Sequence, residues 1–424
     1  MSLYSRIRQA VVVGGVESFG TVLAGVAGLL IVNFLPKEQY AVYTFLLACI
    51  ALMSGIGELG LSHCVLPVVG QRARDPRWVV GVCYEIFRWR WILLAIATVI
   101  VVPYWFNTSV KHDWLSASYA GASAVAVVVT LLTLRASYSY SILMVLGHVS
   151  ALNRASLGMS CVRFVLVALV LFAPIGVWAG MALFLATVAS QLVDIWLQQR
   201  AVKANGIRPS RLEAQERRSV HRETLRVVLP LMPSGIFFQV QSVITVFIVS
   251  VFGTTDMMAE VGALGRLAMI LLVLDRVSNM LLFPAIARSS GGPGFVRKLL
   301  LVNAAYLGAM VLVFVSALLV PHYWMLLLGP QYKAQEPYLW MAVGAYVLNN
   351  ASGFAFRTLA SRAATTRQWI TIPLVIAVQV AFDAGAGVGS LPQVLAFNLV
   401  TSLTHFVFQY GLVLVRIPEW RKAG

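Results

Sequence analysis

Charge is scarce in this chain. Asp, Glu, Lys and Arg together make up 11% of its 424 residues, against about a quarter in a soluble globular domain. Hydrophobic residues account for 59% and the mean hydropathy is +0.83, which excludes a soluble fold and puts the chain in a membrane. Acids are scarcer still, 16 against 32 Lys and Arg, for a net charge of +16. In a soluble protein that excess would suggest nucleic acid. Here most of the cations sit in short links between apolar runs, the positive-inside pattern, so no nucleic-acid partner is expected. Cysteine is limited to Cys49, Cys64, Cys83 and Cys161, all in or beside apolar runs. No CxxC pair occurs and His63-Cys64 is not a metal-ligand spacing, so neither disulfide nor metal is expected. The chain also lacks a DxD, a nucleophile–base pair and a phosphate-binding Gly loop, and its longest outer link spans only about 321–335. Neither an enzyme nor a cofactor is expected.

What the chain does have is long apolar runs. Set against the bilayer thickness they give about twelve helices, at about 10–35, 40–69, 84–106, 115 onward, 155–173, 178–198, 227–252, 257–287, 299–320, 336–359, 368–388 and 391–415. The inner end of the fourth is open, because TLLTLRASYSYSILMVLG either continues the helix or turns along the membrane surface. The first run is too long for a signal-peptide core and holds Glu17, so it reads as an uncleaved spanning helix. Odd-to-even links carry Lys37, Lys111 and Lys333 as their only cations, whereas even-to-odd links and both termini are rich in Arg. Both termini are therefore expected on the cytoplasmic side of the membrane. A basic link at 199–226 separates an N-terminal six-helix bundle, 1–198, from a C-terminal one, 227–424. The fold class expected is an all-α membrane protein with two pseudo-symmetric six-helix bundles.

One run is unusual. Residues 261–288, VGALGRLAMILLVLDRVSNMLLFPAIAR, are apolar enough to span, yet hold Arg266, Asp275 and Arg276. A charge at the centre of a lone spanning helix costs roughly 2.5–3.5 kcal/mol, so these side chains should face other helices or a wet cavity. Arg266 and Arg276 lie about 80° apart around the helix and about 15 Å apart along it. Two guanidinium groups on one broad face point to an anionic cargo; the competing reading is that each pairs with a neighbouring acid or snorkels to an interface. A shift of 217 positions superposes Glu58 on Asp275 and Pro67 on Pro284, along with Ile31-Val32 on Ile248-Val249. The acid-to-proline spacing suggests a parallel repeat of the two halves.

Three stretches, VNFLPKEQYAVYTFLLACIALMSGIGELGLSHCVLP, LPLMPSGIFFQVQSVITVFIVSVFG and YWMLLLGPQYKAQEPYLWMAVGAYVLNN, resemble the polysaccharide exporters of the multidrug/oligosaccharidyl-lipid/polysaccharide superfamily, the Wzx-type O-antigen flippases in particular. The resemblance implies two six-helix bundles that alternate between inward- and outward-open states around a cationic cavity. The cargo it implies is an undecaprenyl-pyrophosphate-linked glycan, with membrane lipids and polysaccharide polymerase and chain-length proteins as partners. A pyrophosphate suits Arg, whose planar fork matches phosphate oxygens and stays protonated. Candidate cargo-binding residues are Arg266, Arg276, Arg163, Arg135 and Arg357, with Gln239, Gln241, Asn279, Asn349, Asn350 and Gln379 as sugar contacts or plain interhelical hydrogen-bonding groups. Glu17, Glu58, Asp275 and His405 are candidates for ion pairing or proton coupling. The cluster Phe87-Arg88-Trp89-Arg90-Trp91 reads as an inner-interface anchor. The rivals are a multidrug or organic-cation antiporter of the same superfamily, which should present acids to its cargo, a lipid II-type flippase, and a membrane enzyme acting on the same lipid carrier.

Overall fold

The computed structural model describes residues 3–422 apart from 231, 269–270, 272–274, 276–291 and 363, and gives the backbone only for 3–14, 16–18, 62, 63 and 71. The chain folds as two compact units, residues 1–247 and 248–424.

The first unit holds α1 (Leu3–Phe34), α2 (Lys37–Glu58), α3 (Leu61–Val69), α4 (Pro76–Lys111), α5 (Ala117–Val145), α6 (Val149–Phe172), α7 (Ala179–Ala204) and α8 (Ala214–Val228), and most of α9 (Met232–Phe252). Local chemistry sets the ends of these helices. Asp75 caps α4 by accepting from the Arg77 amide at 2.9 Å, with Pro76 at the first helical position, where its missing N–H costs nothing. Ser116 caps α5, and α5 runs on unbroken through the stretch whose course the sequence leaves open.

The second spanning run differs from the sequence expectation. Instead of one helix over 40–69, α2 stops at Glu58, Leu59 and Gly60 take positive φ values of 28° and 79°, and α3 starts again at Leu61. A left-handed step ends an α-helix and suits Gly better than any residue with a Cβ. The basic link also differs. α7 extends to Ala204, and much of what remains is α8, a surface helix that buries Val220, Thr224 and Val228 against α3 and α4.

The boundary between the units falls within α9, beyond the link where the sequence analysis places it. The body of α9 belongs with the first unit because Gln239 donates to the Ala51 carbonyl at 2.9 Å and Phe247 packs edge-on against Tyr104. Gln239 fits there because Gly55 has no side chain; a Cβ at 55 would come within 1.9 Å of it.

The second unit contains α10, helical over 255–268 and again at 271 and 275. It continues with α11 (Pro293–Leu319), the short α12 (Pro321–Leu326), α13 (Leu339–Ser361), α14 (Thr371–Ala386) and α15 (Leu391–Lys422). α13 packs on α15 and α11, and α14 on α15. Among the described residues, nine helices are long and apolar enough to cross a membrane. α1, α10 and α13 occupy the other three positions at which the sequence calls for a spanning helix.

Candidate functional site

Each unit holds an acid–arginine pair. In the first, Glu58 is the last residue of α2. Its carboxylate accepts from Arg90 Nη2 on α4, with contacts of 3.0 and 3.1 Å to its two oxygens. Arg90 Nη1 reaches Ser137 Oγ on α5. The Arg90 side chain is 2% exposed and that of Glu58 is 35% exposed. A buried guanidinium needs a carboxylate and further acceptors to offset its desolvation, and here α2 and α5 supply them.

In the second unit Asp275, on α10, pairs with Arg357 Nη2 on α13. Tyr306 on α11, close to the same carboxylate, donates its hydroxyl to the Asn350 carbonyl on α13 at 3.4 Å. The acid therefore comes from the second spanning helix of each half, as the 217-residue shift anticipates, but the arginine does not come from matching helices. It belongs to the third spanning helix of the first half and to the fourth of the second. The other partner is swapped accordingly, Ser137 on the fourth and Tyr306 on the third. In the same register Tyr306 superposes on Trp89, next to Arg90. Arg357 superposes on Tyr140, three residues past Ser137 and so on the same helix face.

Two further sequence candidates keep guanidinium N–H groups without a hydrogen-bond partner among the described residues: Arg135 at Nη1 and Arg163 at Nε. Both are half-buried. Arg135 lies on α5 with its guanidinium 5.3 Å from the Tyr138 ring centroid. Arg163 lies past the midpoint of α6, about 21 Å along it, because that helix begins at Val149 rather than near 155.

The remaining candidates are dispersed. Arg266 is half-buried on α10, beside Gly265, whose missing Cβ would stand 3.4 Å from the Tyr346 hydroxyl. Arg276 and Asn279 lie outside the described residues, as does the side chain of Glu17. Gln241 is half-buried on α9 and Asn349 is exposed on α13. Asn350 donates to the Tyr346 carbonyl one turn back at 2.8 Å. Gln379 on α14 donates to Thr401 Oγ1 on α15 at 3.3 Å. His405 is buried one turn beyond Thr401, and Gln409, a further turn along, exchanges hydrogen bonds with Gln368. This polar seam joins α14 to α15, as interhelical hydrogen bonding does.

Arg90 is the residue the sequence reading misses, since it counts there as part of an interface anchor. A signal was present. Buried positions on α4 include 79, 83, 86, 90, 94, 97, 101 and 105, an i, i+3/i+4 stripe on which Arg90 is the one cation.

No family model matches the sequence, and no curated protein matches it. Solved structures do. A multidrug resistance MATE family transporter of the MOP superfamily, in its inward-facing conformation, superposes with a TM-score of 0.68 at 15% identity, over 96% of this chain and 96% of that chain. A MOP superfamily transporter from Pyrococcus furiosus, described by the reverse polarity of its binding pocket as suggesting a different function, gives 0.60 at 16% identity, over 97% of this chain and 96% of that chain. MATE in complex with MaL6 gives 0.59 at 16% identity, over 98% and 96%. The fold is that of the MATE transporters, an all-α multi-pass membrane protein of twelve helices in two bundles.

Proposed function

We propose that the chain is an alternating-access flippase for an anionic amphiphile, an undecaprenyl-pyrophosphate-linked oligosaccharide, in a bacterial inner membrane with both termini cytoplasmic. One observation carries this reading: the inequality between acids and arginines. Glu58 and Asp275 are each bound to an arginine, whereas neither Arg135 nor Arg163 forms an ion pair with a described residue. A cation carrier must offer a carboxylate to its cargo; Glu58 and Asp275 are already neutralised, and Asp194 on α7 is buried with the Gln198 amide on it. A phosphate carrier must offer N–H donors, and charge-assisted bonds to them are worth roughly 1.5–3 kcal/mol each. Arg266 and Arg276 would add positive charge on the eighth spanning helix, and the two units, which divide within α9, would rock against each other. A polysaccharide polymerase would consume the product.

The second reading is a multidrug antiporter. The fold likeness alone favours it, since a solved structure of that fold is a multidrug resistance transporter. Proteoliposomes separate the two. The flippase reading expects inward-to-outward movement of a radiolabelled lipid-linked sugar, at a rate cut at least about tenfold by Arg135→Gln or Arg163→Gln, the factor equivalent to about 1.4 kcal/mol. Movement of ethidium against a proton gradient, with no movement of the lipid-linked sugar, would establish the antiporter instead.

A further inference from the structure

We propose that the outward face of α8 binds anionic phospholipid headgroups in the leaflet at whose surface it lies. The helix is held in one orientation. Glu213 and Glu216 form a reciprocal capping box at its start, which satisfies its first amides. Val220, Thr224 and Val228, spaced one turn apart, are buried against α3 and α4. His221 Nε2 lies 2.9 Å from Glu85 Oε2 on α4, a carboxylate that also faces Arg88 at 3.4 Å.

That docking fixes the depth. The His221 ring meets Trp89 edge-on at 5.9 Å, and Trp89 stands with Phe87, Arg88 and Trp91 in an aromatic and basic cluster on α4. Such clusters sit at headgroup level. The C-terminus of α8 leads within four residues to α9, which starts at Met232 and is apolar from the outset.

At about 100° per residue, and measured from the direction opposite the centre of the Val220, Thr224 and Val228 stripe, Arg222 and Arg226 lie about 20° away, Leu229 about 40°, Arg218 about 60° and Leu225 about 80°. All five are exposed, Leu225 at 36% and Leu229 at 57%. The exposed acid Glu223 lies on the opposite flank from Leu225, about as far from the docked face. The outward side of α8 thus sets exposed leucines beside arginines. At headgroup depth the pairing is complementary: guanidinium forks take phosphate oxygens while the leucines enter the upper acyl zone. Arg211 and Arg200, over the rings of Tyr84 and Trp196, extend the positive surface. The inference is independent of the cargo and of which side of the membrane the helix occupies.

Full-length protein carrying Cys161→Ser and Leu225→Cys, labelled with bimane and placed in nanodiscs, tests it. Brominated phosphatidylglycerol should quench the label at least about twofold more than brominated phosphatidylcholine at equal mole fraction, and the difference should shrink in high salt. One arginine near an anionic surface is worth roughly fivefold in local lipid enrichment. Arg218→Gln, Arg222→Gln and Arg226→Gln together should therefore abolish the difference, while the corresponding three Lys substitutions should keep it. Equal quenching by both lipids without the Arg substitutions, or a preference that survives the three Gln substitutions, would overturn the proposal.

Discussion

At the scale of single residues, the asymmetry of exposure in the first pair decides what each substitution costs. Glu58→Gln leaves a guanidinium that is 2% exposed without its carboxylate, and stranding a buried charge costs about 3 kcal/mol or more. Arg90→Gln leaves a carboxylate that is 35% exposed, so it should lower the unfolding midpoint less. Glu58→Gln with Arg90→Met should recover most of the loss, and a double-mutant cycle read by thermal unfolding in detergent should give a coupling of about 1–3 kcal/mol. Additive losses would mean that the pair contributes nothing as a pair. This chemistry was half legible in the sequence. Glu58 and Asp275 stand out because an acid in an apolar run is costly wherever it points. Arg90 was hidden by its neighbours, because Arg88, Trp89 and Trp91 look like an interface and only the helical stripe separates it from them. Residue spacing within one helix does not say which helix supplies a partner, so neither pairing was predictable.

At the scale of elements, hydropathy placed the spanning runs but not their interruptions. The break at Leu59-Gly60 lies inside a run that stays apolar throughout, and hydropathy is blind to φ. Gly60 takes a φ of 79°, and a Cβ there would have nothing within 4 Å. Gly60→Ala therefore isolates the backbone term and should cost about 1 kcal/mol in denaturant unfolding. Gly308→Ala, inside α11 and equally free of neighbours, is the control; it should be neutral or stabilising by up to about 1 kcal/mol. Equal behaviour of the two variants would show that the break imposes no conformational demand. The surface helix α8 was missed for a different reason: its composition reads as a solvated basic link, and its three buried positions become visible only once Val220, Thr224 and Val228 are set four residues apart.

At the scale of the whole molecule, the twelve-helix order was legible because span length and loop charge are properties of segments rather than of contacts. It makes a direct prediction. Single cysteines replacing Lys111 or Lys333 in a cysteine-free background should react with an impermeant maleimide in intact cells. Cysteines replacing Arg77, Arg218 or Arg421 should react only after permeabilisation, and labelling at 218 from outside would defeat the termini-in topology. The corresponding positions of Glu58 and Asp275 were legible too, but not the exchange of arginines between the third and fourth helices. That exchange makes the two halves mechanically unlike. In the first, sliding the third helix past the second tears an ion pair, whereas moving the fourth forfeits only a serine hydroxyl. In the second, the fourth helix carries the ionic tether and the third can slip for the loss of a tyrosine hydroxyl. One and the same shear applied to both repeats would meet stiff resistance in one and slight resistance in the other.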